Sequence, residues 1–162
     1  MRGQQLLPTL TAEEIAEIEE EINHLPDRKS AAIDALMIVQ KHRGWVSDES
    51  LGAISRLLAM SVEELDGVAT FYNLVFRQPV GRHVVMVCDS VSCYVMGADD
   101  LAKEVQSQLG VRFGETTPDK RFTLLPIVCL GACDKAPAMM IDEDLIENVS
   151  SDRLQSIFGA YA

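Results

Sequence analysis

From about residue 11 to residue 73 the apolar positions recur every three or four residues, the period of helices that turn one face to a core. Thr11 and Glu14 form a capping box, and Ile15, Ile18, Ile22 and Leu25 then make one stripe on an otherwise acidic helix that Pro26 ends. From about Ser30 to Arg43, Ile33, Leu36, Met37 and Val39 put apolar side chains on most faces, and Gly44 stops the helix. That pattern suits the centre of a small bundle. Ser47 and Ser61 cap two shorter helices, the first carrying Leu51, Ile54 and Leu58, the second Val62, Leu65 and Val68, with Glu64 completing another capping box. The expectation for this half is about four short helices.

Beyond a linker near Arg77-Gln-Pro-Val-Gly-Arg82 the period changes. Continuous apolar runs, Arg82-His-Val-Val-Met-Val and Arg121-Phe-Thr-Leu-Leu-Pro-Ile-Val, are what strands covered on both faces require. Between them Leu101, Val105 and Leu109 recur at helical spacing from Gly97 to Gly110, with Asp99 and Asp100 in the first turn. A right-handed crossover makes the two strands parallel, so their carboxyl ends share one edge of the sheet. Ala138-Met-Met-Ile and Leu145-Ile, turning at Asp142-Glu-Asp144, read as a hairpin, with Met139 and Met140 as core filler. A last helix is capped near Ser150 and carries Leu154, Ile157, Phe158 and Tyr161. The fold class is therefore α+β: an N-terminal helical bundle over 1–78, then a domain over 79–162 whose βαββα order resembles thioredoxin. Pro137, just before a strand, is a candidate for the cis-proline of such folds, with a trans turn proline as the default.

Composition narrows the functions. The chain of 162 residues carries a formal net charge of −11, spread as −6 over residues 1–80 and −5 over 81–162. Nucleic acid is excluded as a partner on this balance, and no basic patch reads as a membrane anchor. No apolar run approaches the length of a membrane-spanning helix, and Met1-Arg-Gly-Gln-Gln-Leu-Leu-Pro lacks the pattern of a secretory signal, so a reducing compartment is expected. No G-x-G pair, G-x-S-x-G or H-E-x-x-H occurs. The six carboxylates between residues 13 and 21 read as a solvated face, and His24, His42 and His83 show no ligand or triad spacing.

The chemistry therefore rests on four cysteines. They form two close pairs, Cys88-Asp-Ser-Val-Ser-Cys93 and Cys129-Leu-Gly-Ala-Cys133, with thirty-five residues between. Cys88 and Cys129 are expected to end the two strands, with Cys93 and Cys133 in the loops beyond. Disulfides do not suit a reducing compartment, and C-x-x-C, the redox and zinc-knuckle spacing, is absent. A 2Fe-2S cluster, whose two irons each take two thiolates, suits the wider loops, while a zinc site stays open as an alternative. The electronegative cluster would favour backbone donors: Gly131 lets a tight loop turn its backbone inward, and the helix opening near Gly97 points its positive end toward the Cys93 side. With no nucleotide fingerprint, a cluster-bearing chain of this kind is an electron carrier whose partner lies elsewhere.

These cysteine pairs, with Gly67-Val-Ala-Thr-Phe-Tyr72, Gly81-Arg-His-Val84 and Ala136-Pro-Ala-Met-Met-Ile-Asp142, closely resemble the E subunit family of bacterial NADH:quinone oxidoreductase, respiratory complex I. They are similar to the mitochondrial twenty-four-kilodalton subunit as well. The match runs from about Ile15 to Tyr161 and leaves the first ten or so residues unassigned. The resemblance implies a helical bundle and a thioredoxin-like ferredoxin domain, with Cys88, Cys93, Cys129 and Cys133 as ligands of one 2Fe-2S cluster. It also implies a stable heterodimer with the F subunit, which binds NADH and FMN, in the peripheral arm on the cytoplasmic face of the membrane. The corresponding component of soluble NAD-linked hydrogenases or formate dehydrogenases is a second reading, and a zinc-stabilised binding module a third.

Overall fold

The structure, a computed structural model, describes residues 10–161, and its contacts divide the chain into two units, before and after the Pro79–Val80 bond. In the first, four α-helices, α1 (Ala12–His24), α2 (Ala32–Arg43), α3 (Asp48–Leu58) and α4 (Val62–Phe71), share one core, and a 3-10 turn (Arg28–Ala31) leads into α2. Ile18, Leu36, Ile54, Leu58 and Leu65 are fully enclosed there. Each contributes about 1.5–3 kcal/mol by leaving water. Both capping boxes form, Thr11 with Glu14 and Ser61 with Glu64, and Ser47 caps α3 through the Ser50 N–H. Ile15, Met37 and Val62 face solvent, so the buried stripes are narrower than the apolar ones.

The acidic face of α1 is less solvated than its composition suggests. Glu14 is buried: its carboxylate accepts from Arg43 Nε and Nη2 at 2.5 and 2.6 Å while capping the Thr11 N–H at 2.7 Å. Glu17 meets His42 at 2.7 Å, and Glu19 pairs with Arg28. These carboxylates tie α1 to α2 and to the 3-10 turn before it, which a charge pattern read along one helix does not reveal.

The second unit is a four-stranded sheet in the order β2-β1-β3-β4, built from β1 (His83–Cys88), β2 (Phe122–Ile127), β3 (Met139–Ile141) and β4 (Asp144–Ile146). β1 and β2 are parallel, in register from His83↔Phe122 to Cys88↔Ile127, and β3 runs antiparallel to β1. A short α5 (Val91–Val95) and then α6 (Ala98–Leu109) make the crossover; 3-10 turns at Cys133–Lys135 and Ser151–Arg153 precede β3 and α7 (Leu154–Gly159). Leu101 and Val105 of α6 and Leu154 and Phe158 of α7 pack with Val85, Val87, Leu124 and Met139 of the sheet. Met139 is core, whereas Met140 is only half buried. Gly81 sits where the chain enters β1, and a Cβ there would lie 3.0 Å from the Arg121 carbonyl oxygen, so no side chain fits this approach to β2. Arg121 donates to the Tyr161 and Phe158 carbonyls at 2.5 and 2.6 Å, fastening the end of α7 to the start of β2.

Three local expectations are corrected. The Ala136–Pro137 bond is cis, against the trans default. Ser150 makes no side-chain cap; the chain enters α7 through the 3-10 turn instead. An extra helix, α5, stands where a loop was expected after Cys88, because five residues are too few for apolar periodicity to register.

Candidate metal centre

Parallel pairing of β1 and β2 sets the centre's geometry. Strands that run the same way end at the same edge, so the segments following Cys88 and Ile127 leave the sheet side by side. Cys88 is the last residue of β1, as expected. Cys129 lies two residues past β2 rather than at its end, Cys93 lies on α5 rather than in a loop, and Cys133 opens the Cys133–Lys135 turn.

The four thiols arrive as one enclosed pair and one open pair. Cys88 and Cys93 are buried and free, whereas Cys129 and Cys133 are exposed and free. Cys88 and Cys133 both stand close enough to act on the Cys93 side chain. The Cys88 thiol also reaches the Val128 carbonyl at 3.9 Å, linking the first cysteine loop to the second. Burial pushes the Cys93 thiol up from its ordinary pKa, opposed by the Ala138 backbone N–H donated to its sulfur. Without a counter-charge burial therefore favours the thiol form at Cys93. At the open pair, Gly131 adopts φ 78°, a left-handed conformation that glycine takes without strain, and its N–H meets the Cys129 sulfur at 3.3 Å. The inward-turned backbone expected of Gly131 is present.

Among the described residues no three His, Cys, Asp or Glu side chains converge as ligands of a single ion. Two pairs of thiols at one sheet edge match instead the demand of a dinuclear cluster, two thiolates per metal. The donor set thus fits a 2Fe-2S group. In the same unit, His83 Nδ1 is instead paired with Asp142 at 2.6 Å.

The sequence of residues 18–162 matches the family model described as thioredoxin-like 2Fe-2S ferredoxin. The chain belongs to this ferredoxin family. Among curated relatives it is 50% identical to the E subunit of NADH-quinone oxidoreductase from Pseudomonas aeruginosa and 46% identical to its counterpart from Escherichia coli K12. Each match covers 94% of this chain and 92% of the relative. Among solved structures, the air-oxidized form of an NAD+-reducing NiFe hydrogenase matches with a TM-score of 0.67 at 21% identity. That match spans 81% of this chain and 22% of the hydrogenase chain, a likeness of fold. As in other members of the ferredoxin family, a 2Fe-2S cluster is the implied cofactor.

Sequence reasoning missed a set of exposed apolar residues on the segments that follow Cys88 and Ile127. Val91, Tyr94, Val95 and Met96, on and after the α5 helix that carries Cys93, and Val128, beside Cys129, are all largely exposed. The spacing of Val91 and Val95, four apart after Ser90, is the one signal of the α5 turn that carries most of them.

Proposed function

We propose that this chain is the electron-transfer subunit of an NADH:quinone oxidoreductase, holding a 2Fe-2S cluster on Cys88, Cys93, Cys129 and Cys133 and exchanging single electrons with the FMN of an NADH-binding partner. The observation that supports this reading is topological: β1 and β2 are parallel, so Cys88, which ends β1, and Cys129, two residues past β2, leave the sheet at the same edge. When bound, the cluster would supply reversible one-electron redox chemistry at low potential.

The chain's own residues perform the rest. Cys88 and Cys93 sit where water is excluded, and the Ala138 N–H offsets negative charge at the Cys93 sulfur. The Gly131 N–H does the same at the Cys129 sulfur. The exposed pair, and the exposed apolar residues of the segments that carry Cys93 and Cys129, leave this end of the sheet open to a second protein, whose docking would shorten the tunnelling path and dry the site. A lasting heterodimer with a larger flavoprotein, the helical bundle supplying additional contact surface, is the arrangement this reading requires. Its place is the peripheral arm of the complex, on the cytoplasmic face of the membrane. Among the described residues no helix is long and apolar enough to cross a membrane.

The hydrogenase reading rests on fold likeness at 21% identity, whereas the oxidoreductase relatives reach 50% over nearly their whole length, so the latter is preferred. The test is direct. The purified chain should be coloured, should contain iron and acid-labile sulfide, and should give a paramagnetic signal on reduction by dithionite. A colourless protein with one zinc per chain would overturn the reading.

A further inference from the structure

Helix α4 ends in an aromatic edge that the rest of the chain does not use. Phe71 is 77% exposed, and its ring meets that of Tyr72 edge-on at a centroid distance of 5.3 Å; Tyr72 and Leu74 also face solvent. The backbone beneath them is nonetheless firmly held. The buried Gln40 donates to the Leu74 carbonyl at 2.7 Å and accepts from the Phe76 N–H at 2.6 Å. Arg77 donates to Asp66 at 3.0 Å, to Asp48 at 2.6 Å and to the Val46 carbonyl. Val75 is buried in the helical core. Two polar side chains thus fix a segment that holds the Phe71 ring largely in solvent, the pre-ordering that lowers the entropic cost of docking.

Gly67 adds an independent observation. It lies one turn before Phe71 on the same face of α4, in ordinary helical conformation, and a Cβ there would meet nothing within 4 Å. Glycine inside a helix is less stable than alanine, and here no left-handed turn and no close neighbour requires it. The missing side chain leaves a notch beside an exposed ring.

We propose that the edge formed by Gly67, Phe71, Tyr72 and Leu74 is a docking point for the flavin-bearing partner, one of whose side chains enters the notch over Gly67 while Phe71 seats in an apolar recess. This rests on the function proposed above. Charge selects that occupant over a second copy of the chain. Glu63 is exposed one turn before Gly67 on the same face, and residues 1–80 carry a net charge of −6, so self-pairing would set like charge against like. The complementary surface is an apolar recess rimmed by lysine and arginine.

The test uses the full chain with its cluster, mixed with the flavoprotein. Gly67→Ala should raise the thermal midpoint of the helical unit, because helix propensity rises with nothing to clash inside the chain. Gly67→Leu and Phe71→Ser should each weaken binding at least about tenfold. Cluster absorption and reduction by dithionite should be unchanged in all three variants. Equal binding by the variants, with the unaltered chain bound, would overturn this edge alone. Failure of the unaltered chain to bind the flavoprotein would overturn the partner reading beneath it. A homodimer that Phe71→Ser dissolves would assign the edge to a second copy and refute the proposal.

Discussion

Replacing Glu14 by glutamine tests whether the helical unit is held by burial alone. The Glu14 side chain is 1% exposed and its partner Arg43 26% exposed, so the variant leaves a guanidinium with its paired charge gone but some access to water. Removing one partner of a fully buried pair costs about 3–5 kcal/mol. Partial hydration of Arg43, and an amide oxygen still able to cap the Thr11 N–H, bring the expectation to about 2–3 kcal/mol. For a unit of this size that is a fall of roughly 10 °C or more in the helical transition. Urea unfolding followed by far-ultraviolet circular dichroism measures it, with cluster absorbance reporting the other unit. The pH dependence provides a second check. Arg43 holds the Glu14 carboxyl below its ordinary value, with the Thr11 N–H adding to the effect. A depressed folded pKa stabilises above the unfolded value, about 4.3, and that contribution is lost as pH falls through the folded one. The gap between the unaltered protein and Glu14→Gln should therefore be constant at neutral pH and close in acid. A loss under about 0.5 kcal/mol at neutral pH would show that water already screens the pair, as it does at a surface bridge.

Other outcomes follow from the site and the sheet. Alanine at Cys88, Cys93, Cys129 or Cys133 should each deplete iron and abolish the paramagnetic signal while the helical unit keeps its dichroism; full iron content in one variant would remove that cysteine from the ligand set. The chain alone, with no nucleotide fingerprint, should be reduced by dithionite but negligibly by NADH, and adding the flavoprotein should make NADH effective; rapid bleaching by NADH without flavin would refute the carrier assignment. Tyr161 is pushed up to about 12, first by burial and then by the hydrogen bond it donates to Asp144 at 2.8 Å. Of the three tyrosines, one should accordingly ionise well after the ordinary range in an ultraviolet titration, and that late step should vanish in Tyr161→Phe. Because the neutral phenol is the form the fold favours, its contribution is present below the unfolded value of about 10 and lost as pH rises through 12.

What could be read from the chain was local or topological. Thr11, Ser47 and Ser61 cap helices because the hydroxyl and the N–H it accepts from lie within one turn. The parallel strands followed from two apolar runs and a helix between them. Less visible was anything that depends on what faces what. Glu14 looked like one more solvated carboxylate until Arg43, twenty-nine residues later, was placed beside it. The influence of the Ala138 backbone on Cys93 comes from the residue just before β3, forty-five positions later, which composition does not register. The exposure of Val91, Val95 and Met96 was hidden because valine and methionine near a cysteine look the same in sequence whether they point into a core or out of it.

The β1–β2 pairing also orders events in time. The segments that carry Cys88 and Cys129, with a whole crossover between them, leave the sheet side by side only after a parallel pair has closed. Such long-range pairing is slow to form, while the helical unit, built of local contacts, has no comparable wait. On the proposed ligand set, iron offered to a newly made chain would find no four-thiol site until the sheet exists. A ligand that binds the closed sheet and not the open chain then stabilises that closure by mass action. The metal centre would in this way certify the finished fold, and a chain stripped of iron should become more accessible to proteases in the crossover than in the four helices before it.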